Sequence, residues 1–166
     1  AGWSDSAYMT PDGLTIYFAY TPYQFAFFSS DFHNPPITGP ERVGHHKGYY
    51  SYAPNTRTMW LDNDIYMAMR TSVTSKFGTP VNMSFNTHQA DACGMMSADD
   101  LEFYYQRDDG GNADIYVVKR TAPLAAWSAP EKLSSAINSA SHETNPHISK
   151  DKLKLYFTSD RSGGYG

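Results

Sequence analysis

Five of the six histidines lie near boundaries between repeated stretches of the sequence, where side chains of successive repeats could come together. His46 and His142 each precede a turn residue, Asn55 or Asp151, by nine positions. Imidazole beside a carboxylate suits copper, zinc, manganese or iron. We therefore expect a transition metal, copper or zinc ahead of manganese, at a site drawn from His45, His46, His88, Asp91, His142, Glu143 and His147.

Two other interpretations of these histidines stay open. They could be polar loop residues that hydrogen-bond to neighbouring backbone groups. They could also transfer protons in catalysis, since an unperturbed imidazole titrates near neutral pH.

Two acidic clusters could bind calcium, which prefers oxygen ligands on tight loops. The segments "LDNDIY" and "RDDGGNADIY" contain them, but neither has the spacing of an EF-hand. The alternative is that these carboxylates only stabilise the loops that carry them. The calcium candidates are Asp62, Asp64, Asp108, Asp109 and Asp114.

The segment at 20–36, "YTPYQFAFFSSDFHNPP", concentrates aromatic side chains. Stacked aromatic rings can bind a sugar or a partner protein, and they can equally fill a core. The proposed ligand-binding residues are Tyr20, Tyr23, Phe28 and Phe32.

Composition and motifs exclude several classes of protein. The formal charge is −4, with no basic stripe for nucleic acid, and no apolar run reaches membrane-spanning length. No nucleophile, phosphate-loop or zinc-protease motif is present, so no catalytic residue is assigned. Cys93 is the only cysteine, and its place on a predicted inner strand indicates a small core residue.

The elements that must position these residues are short strands in a repeat. Turn residues recur at Asp12, Asn55, Asp99 and Asp151, each followed by alternating apolar residues. A second landmark agrees, because "NDIYMAMR" and "ADIYVVKR" each place their Asp 16 residues before a Pro. This spacing predicts that Ile65 and Ile115 occupy equivalent strand positions.

Four short antiparallel strands with a period of about 45 residues are typical of a β-propeller blade. The sequence predicts one all-β domain over 1–166, an incomplete propeller of about three and a half four-stranded blades. The predicted units are about 1–43, 44–83 and 84–133, with a partial unit at 134–166. The alternative is an antiparallel β-sandwich, which would not explain the matched spacings.

The segments "NPHISKDKLKLYFTSDRSGG" and "GGNADIYVVKR" resemble the WD40-like repeat of TolB-type propellers. The resemblance departs from the pattern in two places: the turn glycine survives only at Gly13, and the first unit lacks the Asp-Ile-Tyr strand start. It implies a bacterial protein outside the cytoplasm, whether periplasmic, secreted or on the cell surface.

The resemblance also implies two classes of function. The first is a non-catalytic binding module for a protein or carbohydrate, with a transition metal at the histidines between units. The second is a fragment or variant of a metal-dependent polysaccharide lyase or another propeller-based enzyme. Because the last unit stops after two strands, we expect a longer polypeptide; the alternatives are a homo-oligomer that completes the ring and an irregular, compact variant of the fold.

Overall fold

The computed structural model describes residues 3–21, 63–108 and 112–164. Within these ranges the chain contains strands and turns but no helix, so the predicted all-β class is confirmed. In this part of the chain there is accordingly no helix long and apolar enough to cross a membrane.

In the described ranges, ten strands form three antiparallel sheets. The first sheet has the order β1–β2–β3–β4, the second has the order β5–β6–β7–β8, and β9 pairs with β10. The strands are β1 (Trp3–Met9), β2 (Thr15–Thr21), β3 (Asp64–Met69), β4 (Val81–Asn82), β5 (Ala90–Met96), β6 (Glu102–Asp108), β7 (Ala113–Lys119), β8 (Glu131–Lys132), β9 (Glu143–Ile148) and β10 (Leu155–Ser159).

Ile65 and Ile115 occupy equivalent positions in the first two sheets, as the spacing predicts. Ile65 N–H donates to Asn86 Oδ1, and Ile65 C=O accepts from Asn86 Nδ2 and from the N–H of Met83. Ile115 makes the same three bonds with Asn138 and Leu133. The two four-stranded sheets therefore share one hydrogen-bond pattern at their third strands.

The hairpins that join the first two strands of each sheet also repeat. In each turn an Asp carboxylate accepts a hydrogen bond from a hydroxyl two residues before it and from a backbone N–H two residues after it. The next residue has positive φ, which glycine adopts most readily. The Asp residues are Asp12, Asp99 and Asp151, and the positive-φ residues are Gly13, Asp100 and Lys152.

The first strand of each sheet carries an irregularity in its pairing. Ser6, Cys93 and Asn145 have positive φ within these irregularities, which is consistent with a bulge that twists the strand. Ser6 Oγ lies 3.0 Å from Cys93 Sγ, so the bulges of β1 and β5 are in contact. Cys93 is half-buried, whereas the sequence indicated a core residue.

The core lies between the first and second sheets. Strand β5 packs against β1, β2 and β3, and β9 packs in the same way against β5, β6 and β7. Tyr17 of β2 and Phe103 of β6 meet between the first two sheets, with ring centroids 5.0 Å apart. The buried core side chains are Tyr17, Ile65, Met83, Phe85, Met96, Phe103, Tyr105, Tyr116 and Val118.

The first sheet combines strands from two predicted units. β2 belongs to the unit predicted at 1–43 and β3 to the unit predicted at 44–83, yet the two strands pair over six residue pairs. The strand that lies beside β2 in the first sheet therefore comes from the next predicted unit. Residues 22–62 lie outside the described residues, and the described sheets do not close into a ring.

Candidate functional site

Two junctions connect neighbouring sheets, and they are built alike. The first runs from Thr87 to Asp91 and the second from Ser139 to Glu143. In each, the hydroxyl residue donates its backbone N–H and its side-chain O–H to the carboxylate four positions later. The same hydroxyl accepts the backbone N–H of the residue between them, Gln89 or Ser141. Each junction thus fixes a carboxylate at the start of the first strand of a sheet.

The carboxylate of the first junction, Asp91, is fully buried and paired with an arginine. Arg107 Nε lies 2.7 Å from Asp91 Oδ1. The guanidinium also donates to the carbonyl of Phe85 and the hydroxyl of Tyr105, and it lies 4.7 Å from the ring centroid of Tyr116. Asp91 and Arg107 therefore hold the first junction against the middle of the second sheet.

Glu143 has the corresponding role in the second junction. Its Oε1 accepts from the hydroxyls of Ser139 and Ser159 at 2.8 and 2.6 Å. Arg161 Nη2 is 3.0 Å from the same oxygen and also donates to the carbonyl of Ile137. Glu143 is completely buried, so its charge is compensated by these donors rather than by water.

The two carboxylates differ in their pKa. Burial raises the pKa of the Asp91 carboxyl, and the Arg107 guanidinium and the Thr87 donors oppose that shift. Burial acts in the same direction on Glu143, but the donors from Ser159, Ser139 and Arg161 outweigh it and lower the pKa of that carboxyl.

The predicted histidines do not share one position in the junctions. His88 follows Thr87 directly and is exposed, with its Nε2 3.3 Å from Gln89 Nε2. His142 precedes Glu143, and its Nδ1 accepts the backbone N–H of Ala113 at 3.1 Å. His147 lies on β9, where its ring packs edge-on against Tyr156 at 6.3 Å. His45 and His46 lie outside the described residues.

The described residues contain no group of three or more His, Cys, Asp or Glu side chains placed to hold a metal ion. The oxygens of Asp91 and Glu143 that were predicted as ligands already accept hydrogen bonds from protein donors. His142 Nδ1 uses its lone pair to accept the backbone N–H of Ala113, so the neutral ring carries its proton on Nε2 and offers no free lone pair to a metal in this arrangement. Copper or zinc binding by these histidines stays a prediction.

Two of the calcium candidates, Asp64 and Asp114, already have side-chain partners within the protein. Asp64 Oδ2 accepts from Asn82 Nδ2 at 2.7 Å, and Asp114 Oδ2 pairs with Lys132 Nζ at 2.5 Å. These contacts connect the third strand of each four-stranded sheet to the fourth. They agree with the alternative to calcium binding, in which these two carboxylates stabilise the local structure. Asp108 is half-buried at the end of β6, and Asp62 and Asp109 lie outside the described residues.

Of the predicted ligand-binding aromatics, the structure describes only Tyr20, since Tyr23, Phe28 and Phe32 fall in 22–62. The Tyr20 ring meets Tyr66 edge-on at 5.7 Å, and Phe18 stacks on Tyr66 at 6.1 Å. These half-buried rings cover the face of the first sheet that points away from the second sheet.

Strand β10 presents a different surface. Among the described strands it pairs with β9 alone, whereas its counterparts β2 and β6 pair on both sides. Leu153 and Tyr156 are 82% and 57% exposed along this strand and its hairpin. β10 and its hairpin thus carry two exposed large apolar side chains beside a strand edge that has no partner among the described strands.

Sequence reasoning missed Arg107 and Arg161. A signal for Arg161 existed, because it belongs to the Ser-Asp-Arg of the segment that carries the family resemblance. No such signal marks Arg107, because the spacing between carboxylate and arginine is not constant. It is 16 residues from Asp91 to Arg107 and 18 residues from Glu143 to Arg161.

No protein-family model matches this chain, and no curated protein shows significant similarity to it.

Proposed function

We propose that this chain forms part of an extracytoplasmic β-propeller that acts as a non-catalytic binding module for a protein or carbohydrate. The observation that carries the proposal is the repetition between the sheets. The Asp-centred turns and the irregular first strands recur in all three sheets, and the junction carboxylates recur between sheets. The hydrogen bonds of Ile65 and Ile115 recur in the third strands of the two four-stranded sheets. Sheets of four short strands, each applied to the next through its first strand, are the units from which propellers are built.

The junction charges support a scaffold. Neighbouring sheets are held together by two ion pairs, Asp91 with Arg107 and Glu143 with Arg161. Each carboxylate also makes several hydrogen bonds within the protein. Removing one partner of such a pair leaves the other charge without its counter-charge, which is strongly destabilising. These ion pairs are therefore suited to holding the sheets in fixed positions. A rigid stack of sheets presents its loops and edges in fixed positions, which favours recognition.

The surface that we assign to recognition includes the apolar residues near β10. Leu153 and Tyr156 are exposed, and they stand beside a strand whose outer edge has no described partner. Contiguous exposed apolar patches often mark a binding surface. Leu124, at 70% exposure on a loop of the second sheet, offers a matched apolar residue away from this surface.

The test is a binding screen of the purified chain against peptide and glycan arrays, with an assay for cleavage of acidic polysaccharides. The expected result is retention of a ligand without any product. Leu153→Lys and Tyr156→Lys should weaken retention, and Leu124→Lys should not. Release of cleaved polysaccharide would contradict the proposal and favour the lyase alternative.

A further inference from the structure

We propose that Asp100 is a proton-responsive contact between the first and second sheets, which holds them together more firmly when its carboxyl group is protonated than when it is ionised. Asp100 follows the turn residue Asp99 in the hairpin between β5 and β6. The inference describes a conformational device within the fold and does not depend on the proposed binding function.

In two hairpins, the side chain after the turn Asp acts on the hairpin of the preceding sheet. In the third sheet this residue is Lys152, whose ammonium group lies 2.5 Å from Asp99 Oδ2 and 3.3 Å from Glu102 Oε1 of the second sheet. In the second sheet the same position is Asp100, and the turn carboxylate of the first sheet that acts on it is Asp12. The attraction between the second and third sheets is thus replaced by a repulsion between the first and second.

The carboxylate of Asp100 is incompletely compensated. Its Oδ2 lies 2.7 Å from Arg120 Nη2, and 37% of the side chain is exposed. Its Oδ1, in contrast, is buried and has no hydrogen-bond partner among the described residues. Burying an oxygen of an ionised carboxylate without a donor costs more free energy than burying one of a neutral carboxyl group. The protonated form therefore suits this position better.

Arg120 keeps its other contacts when Asp100 is neutral. Its Nε donates to the carbonyl of Asp100 at 2.6 Å, and its Cζ lies 4.4 Å from the ring centroid of Trp127. The first sheet shows that no carboxylate is needed, because Arg70 donates its Nε to the carbonyl of Gly13 at 2.7 Å. Protonation of Asp100 thus removes a charge without releasing the arginine that ends β7.

The charges around Asp100 act in the same direction as its burial, with one exception. Burial has the largest effect and raises the pKa of the Asp100 carboxyl. The charges of Asp12 and Asp99 raise it further, and the Arg120 guanidinium opposes them. The net effect is a carboxyl group that binds its proton more tightly in the folded protein.

Two tyrosines of the first sheet also face this carboxyl group. Burial, followed by the charge of Asp100, raises the pKa of Tyr17 to about 12 and that of Tyr8 above 10.0. Both phenols are therefore neutral in the acid range, so they do not titrate together with Asp100.

The sign of the effect on stability follows from the raised pKa. A carboxyl group of this kind favours folding when it is protonated. Its contribution is fully present below the unfolded pKa of 3.8 and is lost as pH rises through the folded pKa. Asp99 behaves in the opposite way, since its pKa is lowered to about 2. The two neighbouring carboxyl groups can therefore be distinguished by experiment.

The first experiment follows the chemical shift of the Asp100 carboxyl carbon by NMR in the intact chain as pH is changed. We expect a titration midpoint above 3.8. Asp12→Asn should lower this midpoint, because it removes a like charge on the first sheet. Asp151→Asn makes the same change in the turn of the third sheet and should leave the midpoint unchanged.

The second experiment compares melting temperatures as a function of pH. Asp100→Asn introduces a neutral group of the same shape, and asparagine tolerates the positive φ of 64° at this position. The variant should melt at a higher temperature than the unaltered chain near neutral pH, and the difference should shrink as pH falls towards 3.8. In an Asp12→Asn background the gain should be smaller, which would locate the effect between the two sheets.

Three results would overturn the inference. These are a midpoint for Asp100 at or below 3.8, a midpoint that does not respond to Asp12→Asn, and a difference in melting temperature that is the same at every pH. The last result would show that Asp100→Asn acts only through the backbone preference of the turn. None of these results bears on the array screen, so the proposed function would stand or fall separately.

Discussion

Asp91 and Arg107 form a buried ion pair that joins β5 to β6, with 2.7 Å between Oδ1 and Nε. The two residues lie directly opposite each other in the pairing of the two strands. The Asp91 carboxylate also accepts hydrogen bonds from the backbone N–H and the side-chain O–H of Thr87. One side-chain contact therefore fixes a strand pairing and the junction that leads into the second sheet.

Asp91→Ala should lower the free energy of unfolding by about 3–5 kcal/mol, because it leaves the buried Arg107 guanidinium without its counter-charge. Urea denaturation would measure the loss. The double variant Asp91→Ala/Arg107→Met should be less destabilised than Asp91→Ala alone. As a control, Glu131→Ala breaks the exposed pair with Lys119 and should cost less than about 1 kcal/mol. Equal effects of Asp91→Ala and Glu131→Ala would contradict this view of the junction.

Gly94→Ala should destabilise the second sheet. A Cβ at Gly94 would lie 2.2 Å from Cε1 of Phe103, whose ring is fully buried and cannot withdraw into solvent. Overpacking of this kind costs about 1–3 kcal/mol. The matched control is Gly164→Ala, where the nearest atom would be 3.9 Å away. Thermal unfolding of the two variants would separate them, and an unchanged midpoint for Gly94→Ala would disprove the prediction.

Asn138→Ala should cost about 1–3 kcal/mol, since it leaves the buried backbone groups of Ile115 without their partner. Asn86→Ala removes the equivalent bonds to Ile65 in a partly exposed setting and should cost less. Chemical denaturation of both variants measures the difference. A neutral Asn138→Ala variant would show that the shared hydrogen-bond pattern is not important for stability.

Asp99, the carboxylate of the turn between β5 and β6, should make the stability of the protein depend on pH in the acid range. Lys152 first, and then Ser97, lower the pKa of Asp99 from 3.8 to about 2. A carboxyl whose pKa is lower in the folded state stabilises the protein above its unfolded pKa. That contribution is lost as pH falls from 3.8 towards about 2.

Lys152→Met should therefore reduce stability near neutral pH and flatten its dependence on pH across this acid range. Melting temperatures recorded as a function of pH would test it, with Lys150→Met as the exposed neighbouring control. The same pH slope in Lys152→Met and the unaltered chain would refute the assignment.

The sequence predicts the local features because each depends on a few adjacent residues. The Asp turns and the two Asp-Ile-Tyr strands were found from spacing, and the equivalence of Ile65 and Ile115 is confirmed. The pairing of β2 with β3 was not predicted, because the recurring turn residue Asn55 indicated a separate unit at 44–83. The ion pair between Arg107 and Asp91 was not predicted either, because a flexible side chain can reach its partner from different positions along the strand.

The separation of β2 from β3 along the chain has a consequence for the order of folding. Residues 22–63 lie between these two strands, whereas β6 and β7 are separated only by residues 109–112. Closing the longer stretch costs about 2 kcal/mol more in chain entropy. Contacts between distant residues also form more slowly. The second sheet should therefore form first in refolding, and the surface of Phe103 and Tyr105 that it presents should then guide β2 and β3 into register.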